Sequence, residues 1–197
     1  VGSRRHSRYG LAMTEKLTCG ALAAGVAIIS GLARGIDTVA HQAVVKAGGT
    51  TIAVLGGGLG KIYPPENMSL ARAICDMGAL VSEQPMAVTP DKRTFPMRNR
   101  IIAGMSAGTL VVEAGIQSGA LITANQALEQ GRTVFAVPGR IDSPMSKGCH
   151  QLIKLGAKLV ETVDDIIEEF TFLPDFQPGQ GPTTEGVAGP PMPVLSD

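Results

Sequence analysis

Residues 26–60 read VAIISGLARGIDTVAHQAVVKAGGTTIAVLGGGLG. A short β-branched run, Val26–Ser30, opens the stretch, and a second, Thr51–Leu55, runs into a loop of four glycines in five residues. Residues 36–47 between them read as a helix. Both runs are continuously apolar rather than alternating, the pattern of strands covered on both faces. Strand, helix and strand in this order make a parallel pair joined by a helical crossover. The same alternation continues outward. Further strands are expected at Leu80–Ser82, Thr109–Glu113 and Thr133–Val137, with a weaker one at Lys158–Val160. Helices are expected near 7–24, 66–76, 97–106, 119–130, 146–155 and 163–170. Ser118 is a natural N-cap, as is Thr162, which precedes acids in a first turn. The reading is an α/β fold: a doubly wound, mostly parallel sheet with helices on both faces. Val1–Arg4 reads as the end of a first strand whose beginning is absent. The fold is expected over residues 1–172. Residues 173–197, rich in Pro, Gly and acids, are expected to form a linker or disordered tail.

Seventeen Lys and Arg balance seventeen Asp and Glu. Taken alone, a net charge of zero argues against a nucleic-acid binder. The distribution reverses the argument. All the basic residues lie between Arg4 and Lys158, where only nine acids accompany them, a net charge of +8. The remaining eight acids follow Lys158. A hydrophobic content of 44% suits a packed core. No apolar run approaches the roughly 18 residues of a membrane span. Val1–His6 lacks the apolar segment of a signal peptide. Cys19, Cys75 and Cys149 are odd in number and far apart. They form neither a disulfide framework nor a zinc-ligand pattern, and a reducing cytoplasmic setting is expected.

In an open α/β sheet, ligands bind outside the carboxyl ends of the strands. Gly2-Ser3-Arg4-Arg5-His6-Ser7 follows the first strand. Ser30-Gly31-Leu32-Ala33-Arg34-Gly35 follows the second, and Gly56-Gly57-Gly58-Leu59-Gly60-Lys61 the third. Loops of this kind, leading into helix N-termini, are ready anion sites. The plainer reading is that the glycines only make tight turns. Two named phosphate motifs fail. Ile62 stands where a P-loop needs Ser or Thr, and Lys61 stands where a dinucleotide fingerprint needs its third glycine.

The segment Asp91-Lys92-Arg93-Thr94-Phe95-Pro96-Met97-Arg98-Asn99-Arg100 places four cations and one aromatic in ten residues. Pro96 suits a first helical turn, which leaves Lys92, Arg93 and Phe95 in the preceding loop. Cations that track phosphates beside a ring that stacks on a base are what single-strand binding requires. The alternative is a solvated helix start with Phe95 in the core. His6, His41 and His150 are dispersed and fit no nucleophile or metal pattern; His41 reads as structural. Glu83 and Glu113 end strands, either as a carboxylate pair or as partners of Arg98 and Arg100.

Together these loops resemble the DprA/Smf family of DNA-processing proteins. The resemblance rests on Gly2-Ser3-Arg4 with Ser7 and Tyr9-Gly10, on Ser30–Asp37, on Tyr63-Pro64 with Asn67, and on Ser82-Glu83 with Pro85. The longest string is Phe95–Ser106. Val111–Ala114, Ser118–Ala124 and Val134–Gly139 complete it. The resemblance implies a Rossmann-like, cytoplasmic homodimer without catalytic activity or cofactor. It implies sequence-non-specific binding of single-stranded DNA and loading of the RecA recombinase in natural transformation, competence and DNA recombination. By position, Arg4, Lys92 and Arg93 would hold phosphates and Phe95 would contact a base. Gly2, Ser3, Ser7, Gly31, Arg34, Gly35, Gly57, Lys61 and Asn67 would line the pocket, with Arg98, Asn99 and Arg100 on the adjoining helix. His150 departs from the Asn usual in the family. Members often carry an N-terminal helical domain and a C-terminal winged helix, neither of which is among these residues.

Two other readings compete. One is a nucleotide phosphoribohydrolase similar to the LOG or lysine-decarboxylase-like family, with Glu113 catalytic. Ser106–Glu113 lacks the Pro-Gly-Gly-x-Gly-Thr loop which that reading needs. The other is a scaffold for protein partners that docks through the acidic tail.

Overall fold

The computed structural model describes residues 1–171; the expected tail 173–197 lies outside the described residues. Among the described residues, six strands alternate with seven α-helices. The strands are β1 (Ile28–Ser30), β2 (Thr51–Val54), β3 (Ala79–Val81), β4 (Gly108–Val111), β5 (Thr133–Ala136) and β6 (Lys158–Leu159). The helices are α1 (Arg8–Ala23), α2 (Ile36–Ala47), α3 (Met68–Met77), α4 (Thr94–Met105), α5 (Gly119–Glu129), α6 (Lys147–Lys154) and the single turn α7 (Asp164–Ile167).

Every strand pairing is parallel, as the apolar runs require. Hydrogen bonding divides the strands into two three-stranded sheets, β1-β2-β3 and β4-β5-β6, rather than one continuous ladder. An apolar slot of about 390 Å³, lined by Ile28 and Ile29 of β1, Thr109 and Leu110 of β4, and Leu17 and Ala21 of α1, lies between the two. Val1 stands at the slot. Its ammonium donates to Leu110 O at 2.9 Å, and its carbonyl accepts from Val112 N at 3.2 Å. The opening residues thus continue the ladder beside β4, in keeping with their strand-like reading.

Alternate residues of one strand feed cores on opposite faces. Val111, Val134 and Ala136 pack with Ala120, Ala124 and Ala127 of α5 and with Leu152 of α6. Val112, Phe135 and Val137 pack with Leu17 of α1, Ile36 of α2 and Ile166 of α7. This is the doubly wound arrangement, and it explains why both side-chain sets of each strand are apolar. A third cluster joins Ala53 and Leu55 to Leu70, Ala71 and Ile74 of α3.

Two helix starts differ from the sequence reading. Helix α4 begins at Thr94, not near residue 97, so Phe95 is helical. Asp91 Oδ1 accepts from Arg93 N at 2.8 Å and Thr94 N at 2.9 Å. That carboxylate caps the chain one turn early, and Pro96 still sits where no intrahelical N–H is needed. At α7 the cap is not Thr162; Asp165 Oδ2 instead reaches back to accept from Thr162 N at 2.8 Å.

His41 is fully buried on α2. The Thr51 hydroxyl has one proton and donates it to Ile28 O at 2.7 Å. It therefore accepts from His41 Nδ1 at 2.8 Å, which fixes the tautomer. Among the described residues, Nε2 has no partner. Protonation would create a buried, unsatisfied donor, and burial pulls the pKa from 6.5 down to about 4. The unfolded chain then binds more protons than the native state between these values, so stability falls as pH drops from about 6.5 to about 4. The full loss is up to about 3 kcal/mol. Urea denaturation at several pH values should show this decline, and His41→Leu should remove most of it. An identical acid dependence in the two proteins would contradict this account.

Candidate nucleic-acid interface

The carboxyl ends of β1 and β2 carry the loops that build the site. Ser3 is pinned between the end of β4 and the start of α2. Its N–H donates to Glu113 O at 2.7 Å, and its carbonyl accepts from Ile36 N at 3.1 Å. Its hydroxyl donates to Arg5 O at 2.7 Å. Gly35, with φ +81°, lets the next loop pass against Ser3 O, where a Cβ would collide with that oxygen. The backbone of Arg4 is thereby fixed while its side chain stays exposed.

Helix α4 supplies the other wall. Arg98 is only 6% exposed. Its Nη1 donates to Gly31 O at 2.6 Å and to Val54 O, and its Nε donates to Asn99 Oδ1 at 3.1 Å. Asp37 Oδ2 accepts from Gly31 N at 3.0 Å. Arg98 and Asp37 together hold both polar groups of Gly31. Desolvation pulls the Arg98 pKa down, with the nearby Asp37 opposing it. One turn before Arg98, Phe95 is half-buried, with its edge 2.9 Å from where a Gly56 Cβ would stand.

Four side chains stack across the rim. The Arg4 guanidinium lies 5.3 Å from the Phe95 ring centroid. Phe95 and Tyr63 lie 5.9 Å apart, with their planes at 46°. The Arg34 guanidinium lies 5.5 Å from the Tyr63 ring centroid. Beneath this row, Gly31, Gly57, Lys61 and Pro90 help enclose a pocket of about 20 Å³, which has room for a water molecule and no more. On the other side of Arg4 and Phe95 an open cleft of about 650 Å³ extends past Gly2, Ser3, Lys92, Arg98 and Asn99 to the start of α5 at Gln117–Ala120.

Arg4, Gly31, Arg34, Gly57, Lys61 and Phe95 therefore meet at the pocket, and Gly2, Ser3, Lys92, Arg98 and Asn99 meet along the cleft. The other expected site residues lie outside both. Ser7 caps α1 and binds Glu113 through its N–H at 2.8 Å and its hydroxyl at 2.6 Å. Asn67 is buried, and its Nδ2 donates to Leu32 O and Thr38 Oγ1. Gly35 is a packing position. Arg93 pairs with Asp91 at 3.3 Å, and Arg100 pairs with Glu83. The glycine loop after β2 also has a packing role. Gly58 N donates to Val88 O at 2.9 Å and Gly60 N to Met86 O at 3.0 Å, so these amides serve the 85–90 loop. Sequence reasoning overlooked Tyr63 and Pro90 as pocket residues. Tyr63 had a legible signal, being an aromatic beside a glycine-rich loop in a chain with two tyrosines and no tryptophan.

Of the acids, Glu83 does pair with Arg100. Glu113 does not meet Arg98; it is 3% exposed, with both oxygens bound to Ser7. Among the described residues, no cluster of His, Cys, Asp and Glu is arranged to hold a metal ion. No helix there is long and apolar enough to cross a membrane.

Residues 1–171 match the family model described as DNA recombination-mediator protein A. The chain is 54% identical to Protein Smf of Escherichia coli K12 over 181 residues, covering 89% of this chain and 48% of that protein. It is 48% identical to DNA processing protein DprA of Bacillus subtilis over 169 residues, covering 86% of this chain and 57% of that protein. The chain thus spans about half the length of the curated relatives it matches. The X-ray structure of DprA from Streptococcus pneumoniae superimposes with a TM-score of 0.81 at 47% identity, over 87% of this chain and 60% of that one. DprA from Helicobacter pylori, a structure described for its single-stranded DNA binding mode, gives 0.77 at 28% identity, over 85% and 76%. A molybdenum cofactor binding protein from Rippkaea orientalis shares the fold alone, with a TM-score of 0.58 at 18% identity. With the whole described fold matched, the chain belongs to the DNA recombination-mediator protein A family.

Proposed function

We propose that this chain binds single-stranded DNA without reading its sequence, and that it does so by binding rather than by catalysis. The observation that carries the reading is the row of cations and rings at the strand ends. Arg4, Lys61 and Lys92 are exposed and, among the described residues, make no ion pair. Arg4 and Lys61 line the small pocket with Phe95 and Tyr63, and Arg4 and Lys92 line the open cleft with Phe95. Phosphates neutralise such cations, and bases stack on such rings whatever their identity. The description of the Helicobacter pylori relative supports the same ligand.

The family supports a wider role. In this reading the bound strand is presented to the RecA recombinase during natural transformation and recombination, by a cytoplasmic homodimer. The competing hydrolase needs an accessible Glu113, and that carboxylate is buried under Ser7. Incubation with AMP should release no ribose 5-phosphate; turnover lost in Glu113→Ala would favour the enzyme. RecA filament formation on single strands should be faster in the presence of the protein, and light scattering should give twice the chain mass.

Fluorescence anisotropy with a dT oligonucleotide at several salt concentrations tests the core of the reading. Lys92→Ala should weaken binding and reduce the steepness of the log–log salt dependence by about 0.7, one single-strand phosphate contact. Phe95→Ala should cost about 1–3 kcal/mol, one stacked base, with the salt dependence unchanged. Wild-type affinity in both variants would overturn the proposal.

A further inference from the structure

We infer that Tyr63 is a second base-contacting residue, and that Arg34 serves to hold its ring rather than to meet a phosphate. This rests on the single-strand reading above and adds a residue to that site.

Tyr63 is 42% exposed. Its backbone is anchored from below. Pro64 is buried, and the turn Pro65–Asn67 is tied down by Asn67 Nδ2, which donates to Leu32 O at 2.9 Å and Thr38 Oγ1 at 2.8 Å. Its ring is held from the side. Arg34 lies over the ring, and its Nη1 donates to the Tyr63 hydroxyl at 3.2 Å. Arg34 is clamped in turn by both Glu66 oxygens, one through Nε and the other through Nη2 at 3.1 Å. That bidentate pair balances the Arg34 charge. An exposed ring held by its anchored backbone and by Arg34 is preorganised, and loses little freedom when a ligand stacks on it.

The placement fits one ligand. At 5.9 Å the Tyr63 and Phe95 rings touch each other, so no base fits between them. They form one bent platform, 46° between planes, with Arg4 at its Phe95 end. Each ring has a guanidinium beside it, Arg4 at Phe95 and Arg34 at Tyr63, and Tyr63 is the more exposed of the two. A strand laid along the platform places successive bases on different rings, with its phosphates over Lys61 and Arg4, both of which line the same pocket.

Intrinsic fluorescence tests this directly, because the chain has no tryptophan and Tyr9→Phe leaves Tyr63 as its sole tyrosine. In that variant, a saturating dT oligonucleotide should quench the emission, whereas an abasic oligonucleotide of equal length should leave it unchanged. In the otherwise native chain, Tyr63→Ala should weaken dT binding roughly 5- to 150-fold without altering its salt dependence, the signature of a lost stacking contact. Tyr63→Phe should restore most of that loss. Tight dT binding by the Tyr9→Phe chain with no quenching would overturn the inference while leaving the single-strand reading intact, even if Tyr63→Ala fails to fold. Absence of dT binding by the unsubstituted chain would overturn that reading and this inference together.

Discussion

One buried guanidinium sets the geometry on which the rest depends. Arg98 donates to the carbonyls of Gly31 and Val54, where β1 and β2 run out of ladder partners. Asp37 holds the amide of the same Gly31. Desolvating a guanidinium is costly, and donors matched to strand-end carbonyls offset much of that cost. A helix carrying such a residue has little freedom to slide or rotate. The position of Phe95, one turn earlier on α4, follows from it, as does the course of the loop that carries Arg34.

Two sets of cations differ once their neighbours are known. Arg34, Arg93, Arg100 and Arg140 pair with acids close by, and Lys158 bridges Glu168 and Glu169. Arg4, Lys61 and Lys92 face the site without such partners among the described residues. The acidic end of the chain is also partly accounted for, since Asp165 accepts from the amides of Glu161 and Thr162 ahead of α7, and Glu168 and Glu169 take Lys158. The asymmetry of charge along the chain thus marks the right edge of the fold. It overstates how many of those charges are available to a polyanion, because a paired charge attracts phosphate weakly.

Much of the fold was legible because its signals are local. Continuous apolar runs of four or five residues announce doubly covered strands, and Thr51–Val54 and Thr133–Ala136 fall where such runs occur. The start of α4 was misplaced because its cap, Asp91, precedes the helix by three residues and competes with a proline signal. The break between the two sheets depends on hydrogen bonds between segments distant in sequence, which no local pattern reports. The site was legible in kind and blurred in detail. Phe95, Arg4, Lys92 and Arg98 meet at the cleft, whereas Asn67 is buried against Leu32 and Thr38 and Ser7 caps a helix.

The sequence by itself determined the class of fold, the edge that carries the loops and the chemical character of that edge. Each of these follows from residue type and spacing along the chain. Only the tertiary structure decided which cations remain unpaired, that the glycine loop after β2 spends its amides on the 85–90 loop, and that Tyr63 joins Phe95 in one platform. Those outcomes depend on which groups approach within a few ångströms across the fold. A side chain's charge and ring can be read from its name, whereas its availability is set by the neighbours that the fold brings to it.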